Sequence, residues 1–288
     1  MNFFSLLIVL ALLQLWGSGG PVQRDQWFFN YCKKSSAWLP AGNIRLVFLV
    51  AMPVLLVLLL QGLLGSILFG LPLLIMTVVV LLYSLGRGNY SDSLMDYLNA
   101  WSQGNFESAY EQAMAIGDFK QSESIGDHQS LHEHARKAYI YQGFERWFVV
   151  VFWFLLLGPA AALAYRLMYL LARADWVGAD ERQLALRWLY YLDWLPARLL
   201  AFSFSLTGDF VNAFNQSWQQ FFTSQPSADF LDDCAVAALQ SGTVKRVYPV
   251  DQALCIDYGR EELLALQSLL SRSMICWVVI VAVLTILS

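Results

Sequence analysis

Charge is what this chain has least of. Only 14% of its 288 residues are Asp, Glu, Lys or Arg, where an ordinary globular domain carries about a quarter. With 58% hydrophobic residues, it is too apolar for a water-soluble fold. The 18 Lys and Arg against 22 Asp and Glu give a formal net charge of -4, and no face or arm concentrates the basic side chains. That excludes nucleic acid as a partner class, because phosphate recognition needs a basic footprint. Cysteine is scarce too: Cys32, Cys234, Cys255 and Cys276 are widely spaced with no CxxC pair, which suggests free thiols rather than a disulfide framework or a zinc site. The His128, His132 and His134 cluster, with Asp127 and Glu133, places only His128 and His132 on one helical face. Without a second-helix ligand it reads as the solvated face of a helix rather than a metal site. A nucleophile elbow, a Walker A sequence and a Rossmann glycine pattern are all missing. Gly86-x-Gly88 has neither the lysine nor the preceding strand that would give it meaning, and no cofactor is expected.

What the chain does have is long apolar runs. From Trp147 to Leu171 the only charge is Arg166, and a run of that length can cross about 30 Å of hydrocarbon as a helix. Gly158-Pro159 interrupts it, Glu145 and Arg146 stand at its entrance, and the following stretch Leu184 to Thr207 carries Arg187, Asp193, Pro196 and Arg198. Each central charge costs on the order of 2.5 to 3.5 kcal/mol on insertion scales, so charges at that depth mark function. Pro159 and Pro196 are expected in the first turns of half-helices, whose free N–H groups suit an anionic group such as a phosphate beside Arg198. The structural counter-reading pairs Arg198 with Asp193 or Glu145.

The other runs give the outline. Phe3 to Trp16 is short and lacks the charges and cleavage site of a signal peptide, so it reads as a retained helix packed inside the protein. Leu46 to Leu60 and Leu63 to Leu85 read as a hairpin about Gln61-Gly62, with Pro53 and Pro72 inside the runs and Gly86-Arg87-Gly88-Asn89 as a stop; Met274 to Leu287 closes the chain. Between them lie a polar loop, Pro21 to Asn43, and two helical polar segments. In the first, Tyr90 to Tyr141, Asn105 caps a helix through Ile116 and Gly126-Asp127 opens another. In the second, Gly208 to Ser273, Asp209 caps a helix through Phe222, Ser227 starts one that stops at Gly242, and Tyr258 to Leu270 is amphipathic. Gly104-Asn105-Phe106 and Gly208-Asp209-Phe210 share one helix-start grammar, an ancient repeat being the other reading. At roughly 50 residues the first insert is too small to stand alone and should dock on the second.

These readings give an all-α polytopic membrane protein with five or six hydrophobic helices and two helical cytoplasmic inserts. Its segments are 1–86, membrane helices; 87–146, an insert; 147–208, broken membrane helices; 209–273, the second helical segment; and 274–288, a final membrane helix. Both termini are expected in the periplasm, because that gathers Arg24, Lys33, Lys34, Arg87, Lys120, Arg136, Lys137, Arg146, Lys245, Arg246, Arg260 and Arg272 on the cytoplasmic side.

Three motifs carry a resemblance across nearly the whole chain. Phe144-Glu145-x-Trp147-Phe148, then Phe152-Trp153-Phe154-x4-Gly158-Pro159-x2-Ala162-Leu163-x-Tyr165-Arg166-Leu167, then Leu192-Asp193-Trp194-x-Pro196-Ala197-Arg198-Leu199 resemble the AmpE family of bacterial inner-membrane proteins. More distantly they resemble the CobD/CbiB amide synthases of cobalamin biosynthesis. The AmpE resemblance implies a non-catalytic, multi-pass signalling or sensor protein of β-lactamase induction and cell-wall stress. The resemblance supplies the pathway, and with it a cytoplasmic or membrane protein partner; the residues supply the lipid bilayer and a small anion, phosphorylated or muropeptide-like, as the other expected partners. The residues expected to form the ligand site are Glu145, Arg146, Tyr165, Arg166, Asp193, Pro196 and Arg198. The synthase motif E-N-T-S-D-G keeps only its aspartate, as Glu145; Tyr141, Gln142 and Gly143 replace three of its polar residues, and Met168-Tyr169 replaces a later asparagine-threonine pair. A degenerate or re-purposed amide synthase is therefore the alternative, and a transporter, with so few spans, the third reading.

Overall fold

The computed structural model describes residues 2–16, 23–35, 42–65, 70–86, 90–117, 128–174, 176–239 and 252–287. Regular structure among them is helical throughout, in two compact units. The first unit comprises Met1–Gly88 and Val149–Asp193, and the second Asn89–Phe148 and Trp194–Ser288.

In the first unit, α1 (Asn2–Trp16), α2 (Gln26–Ser35), α3 (Asn43–Leu64) and α4 (Leu71–Ser84) are followed by α8 (Val149–Leu157) and α9 (Pro159–Arg173). Helix α9 packs against α3, α4 and α8, while α1 lies on α4 and buries Ser5, Leu6 and Val9. The polar loop expected before Asn43 holds a helix instead. Phe28 and Cys32, four residues apart on α2, are both buried, so this short amphipathic helix was hidden only by its polar composition. Helix α3 continues through Gln61-Gly62, which is no turn, and Pro72 stands in the first turn of α4 after left-handed Gly70 rather than inside a run.

The apolar stretch Trp147 to Leu171 is broken, as expected, at Gly158-Pro159. The helix of spanning length is His128–Leu157, and it stops at Gly158, where φ is 87° and ψ -173°. Pro159 then opens α9 at a first-turn position, as its missing N–H favours. That φ/ψ region is accessible essentially to glycine alone, so Gly158→Ala is expected to cost about 1–3 kcal/mol. The cause is backbone conformation rather than crowding, because an added Cβ would have Gln61 Nε2 at 3.9 Å as its nearest neighbour. Gly178→Ala, with nothing within 4 Å of its Cβ, is the neutral control in a thermal-unfolding comparison in detergent.

The second unit contains α5 (Tyr90–Ser102), α6 (Phe106–Ile116), α7 (His128–Gly143), a π-helical turn (Phe144–Phe148), α11 (Phe210–Gln219), α12 (Ser227–Leu239) and α13 (Gln252–Leu287). The end of α10 (Ala179–Thr207) also belongs to it. The first insert does dock on the second polar segment: α7 packs on α12 and α13, and α5 on α13. Asn105 accepts from Ser108 N and Asp209 from Asn212 N, each at 3.1 Å, as the shared grammar predicts. The preceding glycines answer different demands. Gly104 takes a left-handed φ of 68°, whereas a Cβ on Gly208 would lie 2.6 Å from the Ala238 carbonyl oxygen. Helix α11 stops at Gln219, short of Phe222, and Tyr258 to Leu270 and Met274 to Leu287 belong to one uninterrupted α13. The starts and stops expected at Gly126-Asp127, Arg87 to Asn89 and Gly242 fall outside the described residues.

Among the described residues, three helices are long and apolar enough to cross a membrane: Asn43–Leu64, His128–Leu157 and Leu254–Leu287. Phe3–Leu13 and Leu71–Ser84 are shorter apolar helices. Helix α10, long but carrying Arg187, Asp193 and Arg198, is not in the first group.

Candidate functional site

The Phe144 to Phe148 motif folds as the π-helical turn, a geometry that recurs at functional positions because it re-aims side chains within an otherwise α-helical rod. Glu145, inside that turn, is buried at 4% exposure. Its neighbour Arg146 sits 5.6 Å over the Tyr90 ring, and Tyr90 stacks on Tyr139 at 4.2 Å while donating to the Tyr139 carbonyl. Gly143 is required here, since a Cβ would lie 2.5 Å from the Tyr90 hydroxyl.

In the first unit the structure brings Tyr165 and Asp193 together. Both are buried, and the Tyr165 hydroxyl donates to Asp193 Oδ1 at 2.9 Å. Arg166, also buried, and Arg173 both lie over the Tyr169 ring, at 4.7 and 4.5 Å.

Pro196 does not open a half-helix: it lies inside continuous α10. Proline there removes the N–H that the Leu192 carbonyl would otherwise accept from, and Trp153 Nε1 donates to that carbonyl at 3.3 Å. Two of the motifs are thus connected by one hydrogen bond. Trp153→Phe should cost about 1 kcal/mol by leaving a half-buried carbonyl without a donor. Adding Pro196→Ala, which restores the backbone N–H, should recover most of that loss in equilibrium unfolding.

Arg198, expected beside a helix N-terminus, is instead mid-helix and buried. Its Nε, Nη2 and Nη1 donate to the carbonyls of Phe221, Thr223 and Trp194 at 3.3, 3.1 and 3.3 Å. The guanidinium lies 4.7 Å from the Trp194 ring and 4.4 Å from that of Phe230. It ties the turn after α11 to α10 and α12.

The polar centre that the sequence reading missed lies among α5, α7, α12 and α13. Arg136 makes a two-pronged contact with Asp232 (Nε to Oδ1 2.8 Å, Nη2 to Oδ2 2.9 Å) and donates from Nη1 to Glu262 at 3.2 Å. His132 Nε2 lies 3.1 Å from Glu262 Oε2, and its Nδ1 3.3 Å from the Tyr97 hydroxyl. Burial, with the Cys255 and Glu262 charges behind it, raises the Tyr97 phenol above its ordinary range and keeps its proton on. His132 thus bridges the Tyr97 hydroxyl and the Glu262 carboxylate through its two ring nitrogens. His132 is therefore not on a solvated face: it is fully buried, with Trp101 4.9 Å away, ring to ring. The one available signal was spacing, since His132 and Arg136 stand four apart on α7. Lys137 and Asp229 add an ion pair at the rim. Nearby, burial raises the Cys234 thiol to about 11, partly offset by the Ser217 hydroxyl that donates to its sulfur. All four cysteines are free. Among the described residues no group of three or more His, Cys, Asp or Glu could hold a metal ion.

Helices of membrane-crossing length, with buried charge gathered in and beside them, put the chain in the class of helical proteins built with membrane-length segments. Within that class, residues 1–288 match the family described as regulatory signalling modulator protein AmpE, and the chain belongs to it. No curated protein and no solved structure matches the chain.

Proposed function

We propose that the protein is a multi-pass component of the bacterial inner membrane that modulates β-lactamase induction in response to cell-wall stress. In this reading five or six helices lie in the membrane, and a small phosphorylated or muropeptide-like anion is the signal. The family supplies the regulatory role. The observation that carries the site is Glu145, a buried carboxylate in a π-helical turn inside the helix His128–Leu157. Carboxylates in such positions are retained for function rather than stability. Arg146, next to Glu145 in the same turn, supplies positive charge for an anion. A cytoplasmic or membrane protein of the pathway is the proposed recipient of the signal.

In cells lacking the chromosomal copy, wild-type protein is expected to restore β-lactamase induction by a β-lactam. Glu145→Gln, present at equal level in the membrane fraction, should restore several-fold less. Full induction by Glu145→Gln would remove Glu145 from the mechanism, and no effect of the wild type would remove the function. Purified protein titrated with a muropeptide, and separately with inorganic phosphate, should bind at least one of them. The amide-synthase alternative parts from this reading over nucleotide, because no turnover of Mg-ATP is expected. Single cysteines at Ser18 and Ser122, on a background lacking the native four, should label with impermeant maleimide in spheroplasts at Ser18 alone.

A further inference from the structure

We propose that α11 lies flat in the boundary layer of the bilayer, its aromatic face among the upper acyl chains. It would anchor the second unit to lipid through a surface that crosses nothing. Phe210, Phe214 and Trp218 recur every four residues and stack in series, with centroids 5.5 and 6.0 Å apart. With Val211 they occupy one arc of roughly 100° at the 100° step of a helix, and Phe221 and Phe222 follow in the turn beyond it. Ala213 and Ser217 face inward and are buried, and Asn212, Asn215, Gln216 and Gln219 make the remaining face, so the helix carries no charge at all. The aromatic arc is open: Phe210 is 52% exposed, Val211 65%, Trp218 69% and Phe222 84%. A ladder of stacked rings has no reason to face water.

What covers it is indicated by its level along α13. Thr207 Oγ1 lies 3.0 Å from Ser273 Oγ, and Trp277 Nε1 donates to Ser203 Oγ at 2.8 Å. These bonds set the end of α10, and so the start of α11, beside Ser273, where α13 has just passed its last charge, Arg272, and enters the uncharged run 274–287. An amphipathic helix with Phe and Trp on one face, placed at a polar–apolar boundary, has the composition and position of an interfacial helix. The patch also continues onto α10 through exposed Leu195, Leu199, Phe202 and Leu206, with the Phe202 ring 6.4 Å from that of Phe214. On α13, Ile275 and Val279, two positions either side of the Trp277 that bonds Ser203, are exposed as well. A continuous lipid surface covers all of these at once. With no Lys or Arg in α11, the contact is hydrophobic and should be as strong on zwitterionic as on anionic lipid.

The inference rests on α13 being a membrane segment, and the test separates the two. Full-length protein with its four cysteines changed to alanine receives one cysteine at a time, as Trp218→Cys, Phe222→Cys, Gln219→Cys or Val279→Cys. Each variant is labelled with bimane and reconstituted in phosphatidylcholine vesicles. Labels at Trp218 and Phe222 should be quenched several-fold more by lipid spin-labelled near the headgroup than by aqueous iodide. The Gln219 label should show the reverse, and the Val279 label should respond to lipid spin-labelled near the chain end. Iodide quenching at Trp218 and Phe222 with Val279 still deep would overturn the inference and leave the membrane reading standing. Iodide quenching at all four sites would end both. Shielding of Trp218 that vanishes on dilution into excess lipid would assign the surface to a second copy of the chain and equally overturn it.

Discussion

Arg136→Met is expected to lower the free energy of unfolding by about 3–5 kcal/mol, the usual consequence of removing one partner from a buried ionic cluster. Arg136 is the only cation in contact with both Asp232 and Glu262 among the described residues. All three are nearly excluded from solvent, with side-chain exposures of 9%, 11% and 6%. Methionine fills much of the volume but leaves two carboxylates in a low-dielectric site with their strongest donor gone. Equilibrium denaturation in detergent measures the loss. Neutralising the carboxylates as well, with Asp232→Asn and Glu262→Gln, should recover a large part of it, because what destabilises is uncompensated charge rather than missing attraction. A loss below about 1 kcal/mol would put the cluster in the class of weak, solvent-screened pairs.

Arg198→Met comes next, with an expected loss of about 3 kcal/mol from charge-assisted hydrogen bonds to carbonyls and from two cation–π contacts. Arg198→Lys should rescue little, since an ammonium cannot present a planar fork to the Phe221 and Thr223 carbonyls. The same variants should open the turn after α11, which chymotrypsin would report as faster cleavage at Phe221 and Phe222. Loss of induction with unchanged stability and unchanged cleavage would instead revive Arg198 as a ligand contact.

Local rules made much of this legible. The caps at Asn105 and Asp209 were readable because a short polar side chain before an apolar repeat has few other uses, and Gly158-Pro159 because each residue narrows the backbone to a break. Pro196 misled for an instructive reason. A proline is easier to accommodate inside a helix when its orphaned carbonyl finds another donor, and that donor, Trp153, is 39 positions from the Leu192 carbonyl along the chain. The ionic cluster was opaque for a similar reason. Its members come from α7, α12 and α13, and each alone has the ordinary look of a surface charge or histidine. The π-helical turn left no mark in composition at all. The two polar stretches were each recognisably helical, but the continuity of α13 across Ser273 was hidden by an abrupt change from polar to apolar, which the backbone ignores.

That continuity makes α13 a lever. Its 36 residues extend for about 54 Å at the helical rise, and Glu262 lies about 27 Å from the middle of the apolar end. In a bilayer, a tilt of about 10°, well inside the range that membrane helices adopt as thickness changes, would carry Glu262 sideways by roughly 4–5 Å. The hydrogen bonds that hold Glu262 to His132 and Arg136 are 3.1 and 3.2 Å long, so they would part well before such a swing was complete. Any tilt of α13 about its apolar end is therefore felt first at these two bonds, where α13 meets α7.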